Sequence, residues 1–97
     1  MNEAVNLAEL ALQTLSSNVV HLLKTEIGDR GIVGAVGNHI LLSISKADFE
    51  TRLGNLLQQI YRVVDVNFPV RHQHLSLIIR DTQGKYESIF KIWKTNS

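Results

Sequence analysis

Four glycines, Gly28, Gly31, Gly34 and Gly37, stand at a strict spacing of three. Such a run lets backbone N–H groups approach an anion. Phosphate-binding loops, however, follow a strand and open a helix. Here the glycines follow a helical pattern and lead into extended residues, and neither G-x-G-x-x-G nor G-x-x-x-x-G-K-[ST] occurs. The segment reads more simply as a helix stop, a strand glycine that admits close packing, and a hairpin turn. Gly31, Gly34, Gly37 and the nearby His39 are the places where an anion or small molecule would bind if the chain holds one. His72 and His74 are two apart, so on a strand both would project from one face, as two metal ligands do. A metal also needs a third or fourth ligand and a second shell of hydrogen bonds, and His39, Glu87 or His21 could supply a ligand only if the fold brought one of them there. Surface histidines are the commoner reading, and no metal or other cofactor is expected. No serine lies in a G-x-S-x-G elbow. Asp48 and Glu50 suit a helix start and Asp81 a turn, so no residues are left over for catalysis and the chain is not expected to be an enzyme.

Charge and composition narrow the classes further. The chain has 97 residues, 44% hydrophobic and 20% charged, with a net charge of +1 and no cysteine. Disulfide scaffolds, zinc fingers and thiol nucleophiles are excluded. No window approaches the ~18 apolar residues of a membrane span. Met1 is followed by Asn2 and Glu3 rather than a basic and then apolar leader, so a cytoplasmic protein is expected. The last third is basic, with Arg71, Arg80, Lys85, Lys91 and Lys94 against Asp81 and Glu87, and it contains Tyr86 and Trp93. Stacking on Trp93 and Tyr86 with phosphate contacts from Lys91 and Arg80 would suit a single nucleic-acid strand. A sequence pI near 8.1 is low for that use, so nucleic acid is not the expected partner.

The elements that position these residues follow from periodicity. Val5, Ala8, Leu12, Leu15, Val19 and Leu22 step by three and four, continued by Leu23 and Ile27. That spacing predicts a helix over 3–27, stopped at Gly28. Leu7 and Leu10 point away from its main seam. A hairpin is predicted from Ile32–Val36 and His39–Ile44 across the Gly37-Asn38 turn, with Ile40, Leu42 and Ile44 on one face and Leu41 and Ser43 on the other. Ser45 with Asp48 caps a second helix, whose face is Phe49, Leu53, Leu56, Leu57, Ile60 and Val64. Gly54 within it suggests a close contact. Residues 65–71 are a connection. A second hairpin runs from Leu75–Arg80 to Lys85–Lys94 around a turn at 81–84, with Arg80 facing Lys85. This register puts Leu75, Leu77 and Ile79 on one face with Tyr86, Phe90 and Ile92.

The order of helix, hairpin, helix and hairpin, with Gly31-Ile32-Val33-Gly34-Ala35-Val36 followed by a short turn and Ile40-Leu41-Leu42, resembles the front of a roadblock/longin-type domain. That family begins its hairpin with a similar G-V-x-G-A-V strand. It also has a fifth strand and a final helix, for which this chain shows no counterpart. The resemblance implies a homodimer that serves small GTPases or motor complexes as a scaffold, with no catalytic residues to carry over.

One α+β domain is therefore expected over 1–97: two layers, with a four-stranded, mainly antiparallel sheet and two helices on one face. Such a sheet leaves its second face open, and Ile78, Ile89, Trp93 and Leu41 would sit there, with Leu7 and Leu10 as further excess on the helix. Clustered exposed apolar residues mark a partner site. The expectation is a non-enzymatic protein-interaction, scaffold or regulatory module, acting as a homodimer because symmetric pairs are the commonest assembly. The alternatives are a small-molecule or anion-binding domain built on Gly28–Gly37 and a weak single-stranded nucleic-acid binder.

Overall fold

In the computed structural model, residues 3–68 and 75–92 are described, with side chains from residue 13 onward. Helix α1 spans Glu3–Ile27 and stops where Gly28 takes a positive φ of 62°, a conformation that costs glycine little. A single 3-10 turn, Gly28–Arg30, leads into strand β1, Gly31–Val36, which turns at Gly37-Asn38 into β2, His39–Ile44. Gly37 supplies the positive φ (59°) at that turn. The first hairpin has the expected faces, with Val33 paired with Leu42 and Ala35 with Ile40. Gly31 also belongs to the strand.

The second helix is two helices. Helix α2 covers Lys46–Thr51, and Ser45 caps it by accepting from the Asp48 N–H (3.1 Å). At Arg52 the backbone leaves helical geometry (φ −124°, ψ 5°), and α3 restarts at Leu53 and runs to Asn67. The break thus comes without glycine or proline, and α3 reaches three residues beyond Val64 into the expected connection. Gly54 marks no close approach, since a Cβ built there meets nothing within 4 Å. Strand β3, Ser76–Asp81, and strand β4, Glu87–Lys91, complete the sheet.

The sheet order is β1-β2-β3-β4, with β1–β2 and β3–β4 antiparallel and β2–β3 parallel. The fold is α+β around a four-stranded mixed sheet, mostly antiparallel. The parallel pair is possible because α2 and α3 lie between β2 and β3 in the chain and carry the crossover that a parallel pair requires.

The second hairpin turns one residue later than expected. Arg80 pairs with Glu87 rather than Lys85, and Asp81 belongs to the strand. The cause is local: the Tyr86 N–H donates to Asp81 Oδ1 (2.8 Å), and the Gly84 N–H donates to the Asp81 carbonyl (3.0 Å). The pairing is shifted by two residues, an even number, so each residue keeps its face, as Leu77 opposite Phe90 shows. Tyr86 is nonetheless not a core residue. It sits at the hairpin end, partly exposed, with its ring stacked on Phe49 at 5.8 Å.

One core joins the layers. Val19, Leu23 and Ile27 of α1, with Ile60 and Val64 of α3, pack against Val33, Ile40, Leu42, Ile44, Leu77 and Ile79, all on one face of the sheet. Ile92 and Leu75 extend that face. Phe49, Leu53, Leu56 and Leu57, the predicted helix face, pack against its margin.

Candidate interaction surface

Since inward residues alternate with outward ones along each strand, the pairing registers fix what the other face carries. Three rows cross it from β1 to β4. The first is Ile32, Ser43, Arg80 and Glu87. The middle row is Gly34, Leu41, Ile78 and Ile89, and the third is Val36, His39, Ser76 and Lys91. The middle row has no polar side chain. Ile32, Val36 and Ile89 are 72%, 64% and 64% exposed, while Leu41 and Ile78 on the central strands are half-buried between their neighbours. The helix residues packed against the sheet lie on its opposite face.

The rows also carry polar anchors. Arg80 lies along the sheet, its Nε donating to Ser43 Oγ (3.4 Å) across the parallel seam. His39 is half-buried, with its Nδ1 buried and without a hydrogen-bond partner among the described residues. Glu87 and Lys91 on β4 are exposed, so the face is apolar along β1 and through the middle and charged along β4.

Of the residues expected to form an interface, the structure brings Ile78 and Ile89 side by side, paired across β3 and β4. Leu7 and Leu10 lie on α1, but their side chains, and Trp93 altogether, are outside the described residues. His72 and His74 are outside them too. Among the described residues no three His, Asp or Glu come together as metal ligands do. Ile32 and Val36 escaped sequence reasoning because all of β1 looked suited to burial. Their shared parity was visible, but the edge position that exposes them was not.

The glycine segment divides into separate roles. A Cβ at Gly31 would meet the Ser43 carbonyl oxygen at 2.8 Å, Leu42 Cδ1 at 3.0 Å and Ile44 Cγ2 at 3.2 Å, so this glycine lets two strands close over each other. At Gly34 a Cβ meets nothing within 4 Å, on the open face. Gly37 makes the turn.

A cleft of about 400 Å³ lies elsewhere, between the end of α1, the end of β2 and the α2–α3 junction. Ile27, Ile44 and Leu56 are its apolar lining, and Arg30, Asp48, Arg52, Asn55 and Gln59 its polar lining. It includes none of Gly31, Gly34, Gly37 or His39. Arg52 is already engaged, its Nε lying 3.7 Å from Asp48 Oδ1. The lining offers hydrogen-bonding groups and charge, but no serine, cysteine or histidine for nucleophilic or proton-transfer chemistry.

Among the described residues Asp81 is the one buried carboxylate, 1% exposed at the end of β3 opposite Ile44. The Tyr86 N–H, helped by further backbone N–H groups of the turn, holds its carboxyl below the usual aspartate range against the opposing effect of desolvation. Its role is to shape the turn. Among the described residues no helix is long and apolar enough to cross a membrane. Set against protein-family models, curated proteins and solved structures, the chain matches none of them, and none bears on the roadblock/longin-type resemblance.

Proposed function

We propose that this chain is a non-enzymatic protein-interaction module that acts as a homodimer through the open face of its sheet. The observation that carries this reading is the middle row, Gly34, Leu41, Ile78 and Ile89, flanked by the exposed Ile32 and Val36. A contiguous apolar strip on one side of a small domain favours a protein partner over solvent. Four strands at ~4.8 Å and six residues at ~3.3 Å give a flat footprint of roughly 19 × 20 Å. Two such faces, roughly 760 Å² together, fall below the ~1,200 Å² of stable interfaces and point to weak, reversible association in the micromolar to millimolar range. Sedimentation equilibrium from about 1 µM to about 1 mM, a range that brackets such affinities, tests it. Mass rising from one chain to two is expected, and Ile89→Asp should hold the protein at one. A chain that stays monomeric throughout ends this reading.

The second reading, a small anion in the cleft, is favoured by Arg30, which lines the same cleft as the Arg52–Asp48 pair. Titration calorimetry with citrate and with inorganic phosphate, against Arg30→Gln, decides it. Heat that is absent, or that the variant leaves unchanged, removes it.

A further inference from the structure

The open face is built to meet its own copy in one orientation. This inference rests on the dimer reading above and adds how the two copies pair. We infer that the two-fold axis runs along the middle row, perpendicular to the strands.

In an isologous contact every residue meets the image of another residue on the same surface, so a candidate axis can be checked position by position. An axis along the middle row sets Gly34, Leu41, Ile78 and Ile89 over their own images and exchanges the two outer rows within each strand. Ile32 then lies over the second copy's Val36, and Ser43 over its His39. Arg80 lies over its Ser76, and Glu87 over its Lys91. Apolar meets apolar, donors meet acceptors, and acid meets base, each twice. Sheets that pack face to face stay within about 30° of alignment, which keeps each position close to the partner named for it.

The other in-plane axis, parallel to the strands, fails the same check. It lays β1 over β4 of the second copy, so Glu87 covers Ile32 and Lys91 covers Val36. That arrangement buries two charges against the most exposed apolar residues of β1, which is costly. Edge-to-edge pairing of β1 leaves Glu87 and Lys91 uninvolved. Charge complementarity therefore selects both the second copy as the occupant and the orientation in which it docks. The product has the two sheets in the middle and the helices of each copy outside.

Reversing one charge at a time tests the axis, and both side chains are exposed, so the variants keep the fold. Glu87→Lys should put lysine over lysine twice and weaken self-association by about tenfold or more, with Lys91→Glu doing the same through paired acids. An equimolar mixture of the two single variants should associate as tightly as wild type, because every contact across the axis is then between opposite charges. The double exchange, Glu87→Lys with Lys91→Glu, should also restore the dimer. If the wild-type dimer forms but neither single reversal weakens it, the axis is wrong and the dimer reading stands, with another axis across the same face in its place. If the singles weaken it but the mixture does not recover, Glu87 and Lys91 are not partners and the inference is overturned. A wild-type chain that never dimerises removes both.

Discussion

Adding one methyl group to β1 at two positions three residues apart should move stability in opposite directions. At Gly31 the backbone is extended (φ −161°, ψ 171°), so alanine has no conformational objection. The obstacle is contact: its Cβ would stand 2.8 Å from the Ser43 carbonyl oxygen, an atom fixed in the β1–β2 ladder. Leu42 Cδ1 at 3.0 Å and Ile44 Cγ2 at 3.2 Å close the other sides, both on side chains with almost no exposure. Relief requires the strands to part or two core residues to repack, and overpacking of this kind costs about 1–3 kcal/mol. At Gly34 the new methyl meets nothing within 4 Å and φ is not positive, so only the entropy of the unfolded chain changes. That gain is about 0.4–1 kcal/mol. The two variants should therefore differ by roughly 1.5–4 kcal/mol, or at least 6 °C in Tm at ~4 °C per kcal/mol for a domain of this size. Urea and thermal denaturation followed by far-ultraviolet circular dichroism measure it, at one protein concentration below dimerisation so that association does not add to stability. A Gly31→Ala protein as stable as wild type, or a Gly34→Ala protein less stable than Gly31→Ala, would refute the assignment of Gly31 to close strand packing.

Three further outcomes are expected. Ser16 is 4% exposed on α1 and its hydroxyl finds no hydrogen-bond partner among the described residues, so Ser16→Ala should raise stability by about 1 kcal/mol, read from the urea midpoint. Ser45→Ala removes the acceptor for the Asp48 N–H and should cost about 1 kcal/mol in the same assay. For Asp81 the folded-state pKa lies below the unfolded value, so its stabilisation is complete above about pH 4 and is lost as pH falls through the folded value. The Tm advantage of wild type over Asp81→Asn should thus be constant near neutrality and shrink in acid. An advantage that does not change with pH would show that the carboxylate charge is irrelevant there.

What the residues disclosed in advance was mostly local. The 3.6-residue period located α1, and Gly37-Asn38 located the first hairpin and its faces, because each signal acts within a few residues. The break at Arg52 left only a weak signal, since no proline marks it and Gly54, two residues on, read as a packing glycine within one helix. Asp81 read as a turn former and is one, but through its side chain, which draws it into β3 and moves the turn outward. Ile78 and Ile89 were legible as outward residues by alternation. The parallel seam joins segments that no local pattern connects, so the strand order, the exposure of Ile32 and Val36, and the convergence of Arg30, Arg52 and Asp48 on one cleft appear only in three dimensions.

That seam also sets the order of events when the chain folds. Each hairpin closes through a short loop and can form in microseconds by itself. Ser43 and Arg80, however, are 37 residues apart in sequence and meet across β2 and β3. Closing a loop of that length costs entropy before any pairing is gained, and α2 and α3 must form within it. The slow step is then the meeting of two finished halves rather than the making of either. Mutations in the two turns, whose contacts are already made when the halves meet, should slow folding and leave the unfolding rate nearly unchanged, whereas those in the β2–β3 seam should divide between the two rates.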